Sequence, residues 1–213
     1  MKQRVFNLII LDQSGSMYSI QRQAITGVNE TIQTIREACH KHEDQEHRVT
    51  LIVFNTSEVK TIYNNVEADK VEELTSEQYH PACGTPLYDA MGNALTKLRK
   101  DIDDNDIVLV TIITDGYENA SREYRQSSIK ALVEELKGKD WVFTYIGANQ
   151  RAEEVGATIS VTNTMNFSAT VEGTKAMFAK EGKARGRFFD RISCAFGAKG
   201  KLSDGYFDGL DKE

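Results

Sequence analysis

The sequence predicts an α/β fold: a doubly wound, mostly parallel six-stranded sheet with one antiparallel edge strand and helices on both faces. Three observations predict it. Four runs, Val5 to Leu11, Val49 to Phe54, Ile107 to Ile113 and Trp141 to Ile146, are apolar and rich in β-branched residues with almost no polar alternation. That is the pattern of strands covered on both faces of a parallel sheet. Stretches with apolar residues at helical spacing stand between them, so strand and helix alternate. One gap breaks the alternation: only Asn55-Thr56-Ser57 separates the second run from Glu58 to Tyr63. Three residues cannot hold a crossover helix, so that strand returns antiparallel at an edge.

The elements follow in order. After the first strand, Ile20, Ala24, Val28, Ile32 and Ile35 form the stripe of a first helix. Asn64 to Gly84 is polar and weakly periodic, a loop with room for one short helix. Leu87, Ala90, Met91, Ala94, Leu95 and Leu98 mark a second helix, with Pro86 suited to its first position. Ile129, Leu132, Val133 and Leu136 mark a third. Beyond the Trp141 run, Gln150 to Ala157 reads as a short helix and Thr162 to Phe167 as a last edge strand. Val171 to Phe188 reads as a closing helix, followed by a Gly-rich tail. No internal repeat is visible.

With 213 residues, 40% hydrophobic and 27% charged, the chain suffices for one sizeable core and a small appendage. A net charge of −6 argues against whole-surface attraction to nucleic acid or anionic lipid. No run approaches the roughly 18 apolar residues of a membrane span. Met1-Lys2-Gln3-Arg4 leads straight into a strand rather than into a signal peptide's apolar region. The expectation is a cytoplasmic protein without membrane contact. Cys39, Cys83 and Cys194 are widely spaced and lack a Cys-x-x-Cys pair, which predicts reduced thiols and neither a disulfide framework nor a zinc knuckle.

Three polar features fall where an open α/β sheet binds ligands, outside the carboxyl ends of its strands. Asp12-Gln13-Ser14-Gly15-Ser16 follows the first strand, Thr114-Asp115-Gly116 follows the Ile107 run, and Gly84-Thr85-Pro86 opens the helix between. Right-handed winding makes those two strands neighbours and gathers the three loops at one edge. Ser16 and Thr85 are also ordinary helix-capping types, and Asp-Gly is an ordinary turn. Their joint occurrence is what points to a site. Hydroxyls and carboxylates are hard oxygen ligands suited to Mg²⁺, Mn²⁺ or Ca²⁺ rather than zinc or copper. Two carboxylates about 5 Å apart repel by roughly 3 kcal/mol at an effective dielectric of about 20, which calls for a positive charge between them.

Asp12-x-Ser14-x-Ser16, Thr85 and Asp115 together resemble the metal-ion-dependent adhesion site of von Willebrand factor A domains. The words Leu11-Asp12-Gln13-Ser14-Gly15-Ser16-Met17, Gly84-Thr85-Pro86-Leu87-Tyr88-Asp89-Ala90 and Thr114-Asp115-Gly116 resemble the bacterial intracellular branch. The resemblance covers about residues 4 to 167 and implies such a domain over 1–190, with 191–213 a tail, docked or partly disordered. It implies that Ser14, Ser16 and Thr85 ligate a divalent cation, Mg²⁺ first, with Asp12 and Asp115 acting directly or through water. It further implies a binding module, not an enzyme, whose metal is completed by an Asp or Glu of a partner protein. In some members the last helix moves as ligands exchange. Cys83 stands where the bacterial branch often has glycine; a small packed loop residue is the expectation.

Other signals are weaker. Cys39-His40-Lys41-His42 with His47 fits no compact zinc pattern and reads as a solvated helix-end loop. Asp101, Asp103, Asn105 and Asp106 imitate the start of an EF-hand, but Asp106 replaces its glycine and Ile112 its closing Glu. Ser14 lacks the flanking glycines of a hydrolase elbow. A Mg²⁺-dependent phosphatase of the two-aspartate type is the enzymatic alternative, and its second Asp would fall at Ser14. No phosphate-binding Gly-x-x-x-x-Gly-Lys loop is present. Lys180, Lys183, Arg185, Arg187, Arg191, Lys199 and Lys201, interleaved with Phe188, Phe189 and Phe196, offer a basic segment for nucleic acid. A solvated helix face with a docking tail is its ordinary explanation.

Overall fold

The computed structural model describes residues 2–148, 151–194, 202 and 205–210. Its six strands are β1 (Gln3–Asp12), β2 (Gln45–Phe54), β3 (Val59–Glu67), β4 (Ile107–Thr114), β5 (Val142–Ala148) and β6 (Asn163–Phe167). They lie in the order β3-β2-β1-β4-β5-β6. Only β2 and β3 pair antiparallel. The architecture is the one the sequence predicts, with the short gap after β2 made into an edge hairpin.

The helices are α1 (Gln21–Lys41), α2 (Leu87–Leu98), α3 (Gln126–Lys137), α4 (Ala152–Thr158) and α5 (Val171–Cys194). Side chains along β1 alternate between faces. Val5, Ile9 and Leu11 join the core under α1 and α5, while Phe6, Leu8 and Ile10 join that under α2, α3 and α4. Burial on both faces is why the run shows no polar alternation. Helices α1 and α5 meet at Gly27, where an added Cβ would lie 1.9 Å from the Phe178 ring. Only a residue without a side chain lets them approach so closely.

Several expectations are corrected. Strand β3 continues to Glu67, its polar residues accommodated by register shifts opposite Val49 to Ile52. Helix α5 continues to Cys194 rather than ending at Phe188, because Phe189 and Ile192 are buried and carry its core face onward. A boundary at residue 190 therefore falls within a helix. Beyond it, Leu202 and Tyr206 are buried, and the Tyr206 ring lies 5.8 Å from that of Phe188. Pro86 precedes the first helical residue of α2 instead of occupying it.

The basic segment is not a solvated face throughout. Arg185 is fully buried, donating to Glu181 at 2.9 Å, Asn7 at 3.0 Å and Thr111 at 2.8 Å. Glu181 also accepts from the Tyr206 hydroxyl at 3.1 Å. Phe188 and Phe189 lie in the core and present no ring to a base. Phe196, Lys199 and Lys201, and Gln150 of the expected short helix, lie outside the described residues.

His47 is in β2, buried against Phe189, rather than in a helix-end loop. His42 does sit at the end of α1, with Asp190 at 2.9 Å. Asp103 and Asp106 both accept from Arg4, so that turn is tied to β1 by ion pairs.

Candidate functional site

The three loops converge at the carboxyl edge of the sheet, where β1 and β4 are parallel neighbours. Asp12 ends β1 with its carboxylate held on both oxygens. The Ser14 N–H donates to Oδ1 and the Thr114 hydroxyl to Oδ2, each at 2.6 Å. The buried Tyr79 hydroxyl donates to the Asp12 carbonyl at 2.7 Å, fixing the strand end from behind. The chain then turns into a 3₁₀ segment, Gly15–Ile20, which brings the Ser14 and Ser16 hydroxyls within 3.2 Å of each other. Ser16 Oγ in turn donates to Asp115 Oδ1 at 2.6 Å.

Thr85 joins from the α2 side. A Cβ placed on Gly116 would lie 2.9 Å from Thr85 Oγ1, 3.7 Å from Asp12 Oδ2 and 3.8 Å from Ser14 Oγ. Three oxygens, two from the end of β1 and the loop after it and one from the stretch before α2, thus lie around one small volume, which stays open because residue 116 is glycine. Ser16 and Asp115 connect to this group through the hydroxyl chain. All five residues singled out in the sequence are therefore in one place. Asp12, Ser14 and Thr85 form a buried floor, whereas Ser16 is exposed and Asp115 half-buried at the rim.

Neither hydroxyl expected to cap a helix does so. Ser14, not Ser16, stands before the 3₁₀ segment and makes no side-chain cap bond, and Pro86 separates Thr85 from α2. Among the described residues Thr85 Oγ1 makes no hydrogen bond, although its backbone is held on both sides. Asn119 Oδ1 accepts from the Thr85 N–H at 2.9 Å, and the Asn119 N–H donates to the Thr85 carbonyl at 3.1 Å.

Burial pushes the Asp12 carboxyl up to about 6, against the hydrogen bonds from Thr114 and Ser14; the Asp115 charge adds to the rise. Burial raises Asp115 too, with the Ser16 hydrogen bond opposing it. Among the described residues no basic side chain contributes to either shift. Two acids whose ionisation the fold resists, beside an uncommitted hydroxyl, suit a small hard cation. Among the described residues no group of three or more His, Cys, Asp or Glu is placed to hold a metal, at this site or elsewhere, so the donors on offer here are chiefly hydroxyls.

Thr114, Tyr79 and Asn119 were not singled out by sequence. Thr114 opens a marked word but is given no role by it, Tyr79 lies in the aperiodic stretch before Gly84, and Asn119 acts through the backbone of a residue 34 positions away. Glu118 and Asp89 complete this layer: Glu118 accepts from the N–H groups of Tyr88, Ala120 and Ser121, and Asp89 from those of Arg122, Glu123 and Tyr124. Together they staple the loop after β4 to the start of α2. Cys83 is exposed rather than packed, with a left-handed φ of 64°. Its carbonyl accepts the Gly15 N–H at 2.9 Å, so its backbone, more than its thiol, belongs to the site.

A family profile described as von Willebrand factor type A domain matches residues 8–179. A search of curated protein sequences finds no match. Among solved structures, the PilB minor pilin from Streptococcus sanguinis is similar at 14% identity, covering 91% of this chain and 64% of that one, with a TM-score of 0.61. The pilus adhesin SpaC from Lactobacillus rhamnosus GG is similar at 13% identity, covering 89% of this chain and 31% of that one, with a TM-score of 0.64. The vWF domain of the type V pili tip protein Mfa5 from Porphyromonas gingivalis aligns at 10% identity over 87% of this chain and 96% of that one, with a TM-score of 0.60. The chain thus spans less than two thirds of PilB and of SpaC, and identities this low speak to the fold alone.

Proposed function

The chain belongs to the von Willebrand factor type A domain family, and on that premise we propose that it is a cation-dependent protein-binding module. Ser14, Ser16 and Thr85 hold one divalent ion through their hydroxyls, with Asp12 and Asp115 acting directly or through water. Mg²⁺ is the first choice, and Mn²⁺ or Ca²⁺ the alternatives. The observation that carries this reading is the convergence of Thr85 Oγ1, Asp12 Oδ2 and Ser14 Oγ beside Gly116. Bound among neutral hydroxyls, such an ion keeps much of its charge and supplies an attractive centre for an Asp or Glu of a partner protein.

The residues divide the work. Thr114 and the Ser14 N–H orient Asp12, Asn119 fixes the backbone of Thr85, and the buried floor limits access of water. Ser16 and Asp115 leave the approach open at the rim. A two-aspartate phosphatase needs an acid/base carboxylate two residues after its first Asp, and Ser14 occupies that position. The module is therefore read as non-enzymatic, of the bacterial intracellular kind. Its three free thiols suit a reducing cytoplasm. Among the described residues no helix is long and apolar enough to cross a membrane.

Isothermal titration of the full chain with MgCl₂, MnCl₂ and CaCl₂ tests the reading. One saturable site is expected, lost in Ser14→Ala and in Thr85→Ala. Absence of a saturable site for all three ions would sink it. A phosphatase and esterase substrate panel with Mg²⁺ is expected to show no turnover. Turnover abolished by Asp12→Ala would replace the module with a hydrolase.

A further inference from the structure

Few large apolar side chains remain exposed among the described residues, and they share one edge. Tyr18 is 72% exposed two residues past Ser16, and Tyr117 is 60% exposed two residues past Asp115. Val171, 38% exposed, begins α5 four residues after the end of β6. Val59, 41% exposed, begins β3 opposite Phe54, the last residue of β2. All four stand at the carboxyl edge of the parallel strands, around the candidate site. Apolar surface concentrated on one face marks a contact surface more than chance exposure does.

A groove of about 660 Å³ between α1 and α5 opens beside them. Val171, Phe178 and Ala179 give it an apolar wall, and Arg22 and Lys175 line it with Glu30. Arg22 and Lys175 are exposed, and neither has an ion pair among the described residues. The chain carries 32 acidic residues against 26 basic ones, so two uncommitted cations on one apolar-walled groove select for a negatively charged occupant. Arg22 lies six residues after Ser16, past a 3₁₀ segment and into α1, about 10 Å along the helical rise. An extended strand covers that in about three residues.

We propose that the face receiving the partner's carboxylate continues past Tyr18 into the α1–α5 groove, and that the partner segment is acidic and apolar. One acidic residue meets the cation site. A second, about three residues along, meets Arg22 and Lys175, with an apolar side chain between them against Val171 and Phe178. Tyr18 and Tyr117 flank the first acid, supplying contact area that loses little rotamer freedom on binding. This inference rests on the cation-dependent reading of the site.

The test selects random dodecapeptides displayed on phage against the full chain in saturating MgCl₂, then measures synthetic winners by fluorescence anisotropy. Winners are expected to carry two acidic residues with an apolar one between. Arg22→Glu with Lys175→Glu is expected to weaken them about tenfold or more, and Arg22→Gln with Lys175→Gln by a smaller factor. Circular dichroism checks that both variants fold. Failure to enrich acidic sequences overturns the proposal. So do single-acid winners that bind the charge-reversed variant equally well, a result that leaves the cation reading standing. Binding that survives chelator and Ser14→Ala removes the cation reading itself. Self-association of the chain in Mg²⁺, relieved by the charge reversal, would assign the face to a second copy and overturn the partner segment.

Discussion

Two clusters of buried charge sit on the same two strands and are balanced in opposite ways. Under α5, Glu181 and Arg185 pair at 2.7 Å, and Asn7 of β1 and Thr111 of β4 complete the guanidinium. At the ends of those strands, Asp12 and Asp115 face hydroxyls, and among the described residues no basic side chain favours their ionised forms. The inner cluster is sealed, so every charge must be answered from within the chain. The edge cluster opens to solvent through Ser16 and Asp115, so its balance can come from outside. A fold that compensates one pair fully and leaves the other short of positive charge separates a structural device from a receptive one.

The largest expected effect breaks the inner cluster. Arg185→Met strands a buried Glu181 and should cost about 3–5 kcal/mol in urea unfolding. Adding Glu181→Leu should recover much of the loss. A single variant as stable as the parent would mean the pair is not the closed device described. The opposite manipulation is to supply charge at the edge. Mg²⁺ at about 100 times its dissociation constant should raise stability by roughly 2.7 kcal/mol, an increment that Asp115→Asn removes. A melting temperature indifferent to EDTA would erase the contrast between the clusters.

His47 sharpens the comparison through pH. Burial, with smaller contributions from His42 and Arg185, lowers it to about 3, and its Nδ1 has no hydrogen-bond partner. It is neutral in the fold, whereas the unfolded chain takes up a proton below about 6.5. Stability contributed by this group is therefore complete above pH 6.5 and is lost as pH falls toward 3, at up to about 1.4 kcal/mol per pH unit. His47→Gln should flatten that limb of the urea midpoint against pH. An unchanged slope would move the titration elsewhere.

Sequence reading reached these regions unequally, for physical reasons. Runs such as Leu8 to Leu11 and Val108 to Ile113 are legible because two-sided burial removes all polar residues from the first and all but Thr111 from the second. The site was legible because its oxygen donors lie in three short words at strand and helix ends. Arg185 was misread as solvated: its partners at positions 7 and 111 come from remote strands, and nothing local distinguishes a buried guanidinium from an exposed one. The same holds for the end of α5, where Gly182, Gly186 and the Glu181–Arg185 pair interrupt the apolar period that Phe189 and Ile192 resume. Tyr79 and Asn119 were invisible because they act on backbone groups, which any sequence offers.

Asn119 gives the smallest and most discriminating expectation. It is itself exposed and makes no hydrogen bond to the Thr85 hydroxyl, yet it holds the Thr85 N–H and so sets where that hydroxyl stands. Asn119→Ala should cost about 1 kcal/mol of stability, the net worth of one hydrogen bond. If Thr85 is a ligand placed by its backbone, the same change should weaken Mg²⁺ binding about fivefold in calorimetry, a comparable free energy. Asn119→Asp keeps the acceptor and should restore the placement of Thr85. Stability that falls without any change in ion affinity would show that the loop after β4 braces α2 and does not position Thr85.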